Sequence, residues 1–130
     1  MTNLDHFKKD FGAFYPTGYM VVGFRVQTDA KRVLQFLAKQ GHQPEGSIEL
    51  SPPEMIAFAS KNMAEAGVIA NLGTSLSTLQ VFLDAATEGV YFLILPTPDD
   101  ATAQRAIEAV HRVPFVLAER YHRLAIETVH

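Results

Sequence analysis

The chain contains no cysteine. Disulfides, thiolate metal sites and cysteine nucleophiles are therefore excluded. It also lacks a basic excess: 11 Lys and Arg stand against 14 Asp and Glu, for a formal net charge of −3. An acidic chain without a basic stretch is poorly suited to a phosphate backbone, so no nucleic-acid partner is expected. The opening Met1–Phe11 carries charges throughout and lacks the apolar core of a signal peptide. The longest run without a charged residue, 66–83, still holds Asn71, Thr74, Ser75, Ser77, Thr78 and Gln80. Such side chains are costly in lipid, so the run reads as a packed helix pair. No membrane association and a cytoplasmic location are expected.

What is present is a globular composition. The 130 residues are 48% apolar and 19% charged. A single domain of this length buries about two-thirds of its unfolded surface and needs no covalent staples.

Residues 1–18 form an N-terminal arm, where Leu4, Phe7 and Phe11 predict a short helix stopped by Gly12, Pro16 and Gly18. Tyr19–Val26 is rich in β-branched and aromatic residues and predicts a strand. Thr28 is placed to cap the following helix, with Asp29 at its positive end. Ala30, Val33, Leu34 and Leu37 form its inward stripe, and Gly41 ends it. Ser47–Leu50 predicts a second, short strand.

Ser51-Pro-Pro-Glu54 combines a capping box with prolines in a first helical turn, where missing N–H groups cost nothing. A helix from Pro52 to about Ala66 follows, interrupted or bent at Gly67, and then a second from about Asn71 to Thr87. Val90–Leu95 is a continuous apolar run between Gly89 and Pro96, as in a buried strand. Thr97-Pro-Asp-Asp100 predicts a threonine-capped helix over 98–112, stopped by Pro114. Phe115–Val129 is a long β segment whose alternation fails near Tyr121, where a bulge or break is expected.

The single domain 1–130 thus divides into an arm (1–18), a β-α-β half (19–50), inserted helices (51–88) and a second β-α-β half (89–130). The predicted class is α/β (α+β): a ferredoxin-like split β-α-β sandwich with a helical pair inserted between the second and third strands. The strands at 19–26 and 90–95 are apolar on both faces. The sheet face turned away from the crossover helices therefore needs a cover, either the inserted helices or another subunit.

Three stretches carry a family resemblance. They are Val21-Val-Gly-Phe-Arg-Val-Gln-Thr-Asp-Ala-Lys-Arg-Val33 running to Gly41, the small-residue middle from Ala64 to Gly73 before a strand beginning at Gly89, and the ending Ala118-Glu-Arg-Tyr-His-Arg-Leu-Ala-Ile-Glu127. Together they resemble the general-stress / heat-induced stress protein family of small bacterial domains. The middle is less glycine-rich than that family's pattern. The resemblance implies a ferredoxin-like fold and a stress-related role, and it supplies no catalytic residues.

The candidate ligand-binding residues are Arg120, His122 and Arg123, a cationic group with Glu119 beside it, suited to a small anion. The structural alternative is an edge strand with solvated charges. Tyr15 and Tyr19, with Phe14, are candidates to line a pocket, or else are plain core. His111 falls near a helix C-terminus, where the dipole favours a cation. His6, His42, His111, His122 and His130 show no short metal-ligand spacing, so no metal is expected. Asp99 and Asp100 fit the first turn of a helix. Gly73-Thr-Ser-Leu-Ser77 lacks the lysine and glycine spacing of a phosphate loop.

No catalytic constellation and no cofactor motif emerges. Two functions follow. One is a non-enzymatic stress-related or regulatory domain acting through self-association or a protein partner. The other is a small-ligand-binding domain for an anion or metabolite. The inserted helices carry more apolar residues than one narrow stripe needs, Leu79 and Phe82 among them. A homodimer, with these helices or the sheet face at its centre, is expected.

Overall fold

A computed structural model describes residues 18–41, 45–69, 73–121 and 126–130, with 65–69 and 73–77 described as helical backbone only. The elements run β1 (Tyr19–Phe24), α1 (Gln27–Lys39), β2 (Ile48–Leu50), α2 (Pro52–Ile69), α3 (Gly73–Thr87), β3 (Tyr91–Pro96), α4 (Asp100–Val110), β4 (Leu117–Tyr121) and β5 (Ile126–Thr128). The predicted arm helix over 1–11 lies outside the described residues.

The strands form one sheet in the order β2-β3-β1-β4-β5. Every neighbouring pair is antiparallel. It follows that β1 and β2 run parallel on either side of β3, with α1 as their connection. In the same way β3 and β4 run parallel on either side of β1, connected by α4. Both edge strands, β2 and β5, are only 3 residues long, which leaves little open ladder for further pairing.

Strand alternation divides the core in two. Met20, Val22, Phe24, Leu93 and Leu95 face one way and pack with Val33 and Leu37 of α1 and Ala106 and Val110 of α4. Val21, Phe92, Ile94 and Tyr121 face the other way and pack with Met55 and Phe58 of α2 and Leu79 and Phe82 of α3. The molecule is therefore three layers: α1 and α4, the sheet, then α2 and α3. Each large aliphatic or aromatic side chain fully buried this way contributes about 1.5–3 kcal/mol. The doubly apolar strands find both covers within the chain. Leu79 and Phe82 are 0% exposed, so they belong to this core rather than to an outer contact surface.

Local signals decide the element ends. The Ser51 capping box forms as predicted: the Ser51 N–H donates to Oε1 of Glu54 at 2.8 Å, and the Glu54 N–H donates to Oγ of Ser51 at 3.3 Å. Gly41 follows the end of α1 as expected. At the end of α3, the Val90 N–H reaches the Ala85 carbonyl and the Gly89 N–H reaches that of Ala86. This is a Schellman closure, and Gly89 takes the φ of +94° that it requires.

Four expectations need correcting. Thr28 lies inside α1, whose N-cap is Val26 with no side-chain cap bond. Gly67 does not interrupt α2, which continues to Ile69; one glycine lowers helix propensity without breaking the ladder. Thr97 does not cap α4. It is buried, and both its N–H (2.7 Å) and its hydroxyl (3.3 Å) donate to the Gly18 carbonyl. Asp99 is the cap instead, accepting from the Thr102 N–H at 2.8 Å. Finally, the long C-terminal β segment is two strands, β4 and β5, paired antiparallel with Tyr121 opposite Ile126. The break near Tyr121 thus becomes a reversal of direction and adds a fifth strand.

Candidate functional site

Strand β1 ends at Phe24, and the chain passes through Arg25 and Val26 into α1. Strand β2 ends at Leu50 and passes directly into Ser51 and α2, while β3 begins alongside at Tyr91. These junctions converge at one end of the sheet around a cleft of about 200 Å³. Ala30, Leu50 and Phe92 border it, but nearly all of their surface is turned into the core, so the lining the cleft exposes is more polar than apolar. Its rim is polar, made by Gln27 and Lys31 of α1, Glu49 of β2, Ser51 and Glu54 of the capping box, and Tyr91 of β3.

The rim carries both signs of charge. Nζ of Lys31 stands 3.5 Å from Oε1 of Glu49, with the two side chains 53% and 36% exposed. A pair this exposed contributes little to stability, so it is available for rearrangement. The Glu54 carboxylate is held in place by the Ser51 N–H. The capping box that starts α2 therefore also fixes a negative charge at the cleft.

The residues singled out in the sequence are distributed differently. Arg120 lies on β4, opposite Met20 of β1. Its guanidinium donates to Oδ1 of Asp100 at 3.0 Å, and the arginine side chain is 11% exposed against 98% for the aspartate. It joins β4 to the first turn of α4. Glu119 projects from the other face, where Oη of Tyr121 donates to its Oε1 at 3.0 Å. Tyr19 is half-buried and packs on the α2–α3 side of the sheet, so it does not share a face with Arg120. His122, Arg123, Tyr15 and Phe14 lie outside the described residues.

His111 is the C-cap of α4, as its sequence position implies. Its Nε2 donates to the His130 carbonyl at 2.7 Å, and its ring meets Phe115 edge to face. Arg112 lies over the Phe36 ring at 4.9 Å. These contacts fasten the end of α4 to neighbouring elements. Among the described residues, no group of three or more His, Asp or Glu side chains gathers as metal ligands would. Among them, too, no helix is long and apolar enough to cross a membrane.

The cleft residues Gln27, Lys31, Glu49, Glu54 and Tyr91 carry no motif in the sequence. The one signal was the β2 strand running without a linker into the Ser51 cap, which puts a strand end and a helix start at one point. No protein-family model, no curated protein and no solved structure matches the chain.

Proposed function

We propose that the chain is a non-enzymatic, small-ligand-binding domain of ferredoxin-like fold, with the cleft between the first turns of α1 and α2 as its site. The fold reading is supported by the antiparallel order β2-β3-β1-β4 and by one helix in each split β-α-β connection. On this reading β5 and the α2–α3 pair are additions to that core. Because such a fold hosts many functions, the site has to carry the functional argument. One observation carries it: three chain segments, 27–31, 49–54 and 91–92, meet at a concave site with charged groups of both signs on its rim. Polar groups that converge on a concave surface are one mark of a ligand site. The resemblance to general-stress domains adds the expectation that binding serves a stress-related regulatory role.

Self-association through the outer side of α3 is the second reading. The observation in its favour is Val81, which is 49% exposed there. It is weaker than the first, because α2 and α3 already cover the sheet face that called for a second subunit, and single exposed apolar side chains are common.

The test is thermal unfolding of the full chain against a panel of amino acids, organic acids, amines, nucleotides and inorganic anions. A ligand at about a hundred times its Kd adds about 2.7 kcal/mol, a shift of several degrees. Such a shift, abolished by Glu49→Gln, supports the proposal. A panel without any shift, together with a dimeric mass by light scattering that Val81→Asp reduces to that of one chain, replaces it with the second reading.

A further inference from the structure

We infer that the ligand of this cleft is a zwitterion, a free α-amino acid; the inference rests on the small-ligand reading above. Size sets the first limit. The cleft is small, about 200 Å³. It falls below the range of about 300–1,000 Å³ typical of drug-sized ligands. A single amino acid is of that scale, and a nucleotide is not.

Charge sets the second. Lys31 and Glu49 face one another across 3.5 Å at the rim. A ligand with only one charge can satisfy one of them while separating it from the other. A ligand with an ammonium and a carboxylate can insert between them and exchange one ion pair for two, with no change in the site's net charge. The exposed pair is cheap to open. Glu54 adds a second carboxylate to the rim, held by the Ser51 N–H. Together the two glutamates favour the ammonium end, while the Gln27 amide and Lys31 on α1 favour the carboxylate end.

The experiment is titration calorimetry of the full chain with three molecules of one carbon skeleton: L-leucine, 3-methylbutylamine, which lacks the carboxylate, and 4-methylpentanoate, which lacks the amine. L-leucine is expected to bind with a Kd of about 1 mM or tighter, and each single-charge analogue about tenfold or more weakly. Glu49→Gln should weaken L-leucine by about tenfold and erase its advantage over 4-methylpentanoate. Lys31→Met should erase its advantage over 3-methylbutylamine. Both side chains are exposed, and unchanged melting temperatures without ligand verify that the variants fold. An analogue binding as tightly as L-leucine overturns the zwitterion while leaving the cleft as a site. The zwitterion is likewise overturned if L-leucine fails while a panel molecule that is not an amino acid binds and responds to Glu49→Gln. Failure of every molecule overturns the cleft itself.

Discussion

Phe82 of α3 meets Phe92 of β3 edge to face, with ring centroids 5.4 Å apart and planes inclined by 61°. Both rings are at most 1% exposed. Edge-to-face pairs add about 0.5–1.5 kcal/mol beyond the area they bury. This contact fastens the inserted helices to the sheet, so α3 is part of the folding core and not a detachable appendage. Phe82→Ala should cost about 3–5 kcal/mol in denaturant unfolding. Phe82→Asp and Leu79→Asp should abolish cooperative unfolding at every protein concentration. A folded single chain after either change would move these residues out of the core and onto a subunit interface.

Much of this architecture was legible because it is written locally. The Tyr19–Val26 and Val90–Leu95 runs gave the central strands, and Ser51 and Glu54 gave the start of α2. Even the need for a second cover followed from alternation in β1 and β3. What failed did so where two local rules competed. Thr97 and Asp99 both suit a helix cap; Asp99 won because the Gly18 carbonyl takes the Thr97 donors at the end of the sheet. The β4–β5 reversal was hidden because both strands share one β-prone composition, and only pairing distinguishes a bulged strand from a hairpin. The cleft was least legible of all. Lys31, Glu49, Glu54 and Tyr91 come from separate elements, and their meeting depends on β2 lying beside β3, a long-range choice no short window contains.

Gly23 sits in β1 between β3 and β4, opposite Phe92 and Leu117. A methyl group added there would lie 2.8 Å from Cγ1 of Val90 and 3.2 Å from Cγ of Leu117. Val90 is buried and β-branched, so it has little freedom to turn aside. Gly23→Ala should therefore destabilise the fold by about 1–3 kcal/mol. Val90→Ala in the same chain should recover part of that loss. A double-mutant cycle reads the coupling, and strict additivity would count against the clash.

Asn62 of α2 is completely buried. Its Nδ2 donates to the Phe58 carbonyl at 2.8 Å, while its Oδ1 has no hydrogen-bond partner. A buried acceptor left unpaired carries a desolvation cost of about 1–3 kcal/mol. Asn62→Leu keeps a similar volume and removes that acceptor, so it should raise stability by about 1 kcal/mol. Asn62→Asp places a carboxyl in the same dry position and should lower stability. Chemical denaturation of the two variants at neutral pH checks both signs. A destabilised leucine variant would mean that the Phe58 hydrogen bond outweighs the orphaned oxygen.

Asp99 gives the pH dependence its sign. The Thr102 hydroxyl donates to its carboxylate, and so does the Thr102 N–H, at 2.8 Å. These bonds, the hydroxyl's first and the backbone's second, hold the Asp99 carboxyl below its ordinary value of 3.8. A carboxyl with a lowered folded-state pKa stabilises the fold above its unfolded pKa, and that stabilisation disappears as pH falls through the folded value. Asp99→Asn keeps an acceptor for the Thr102 N–H but has no charge to lose. At pH 7 the variant should melt below the parent chain, because the charged cap and its favourable place at the positive end of α4 are gone. As pH falls from about 5 towards 2 the parent should lose its advantage and the two melting curves should converge. Melting temperatures of both chains across that range make the comparison, and a gap that stays constant down to the lowest pH would remove Asp99 from the acid response.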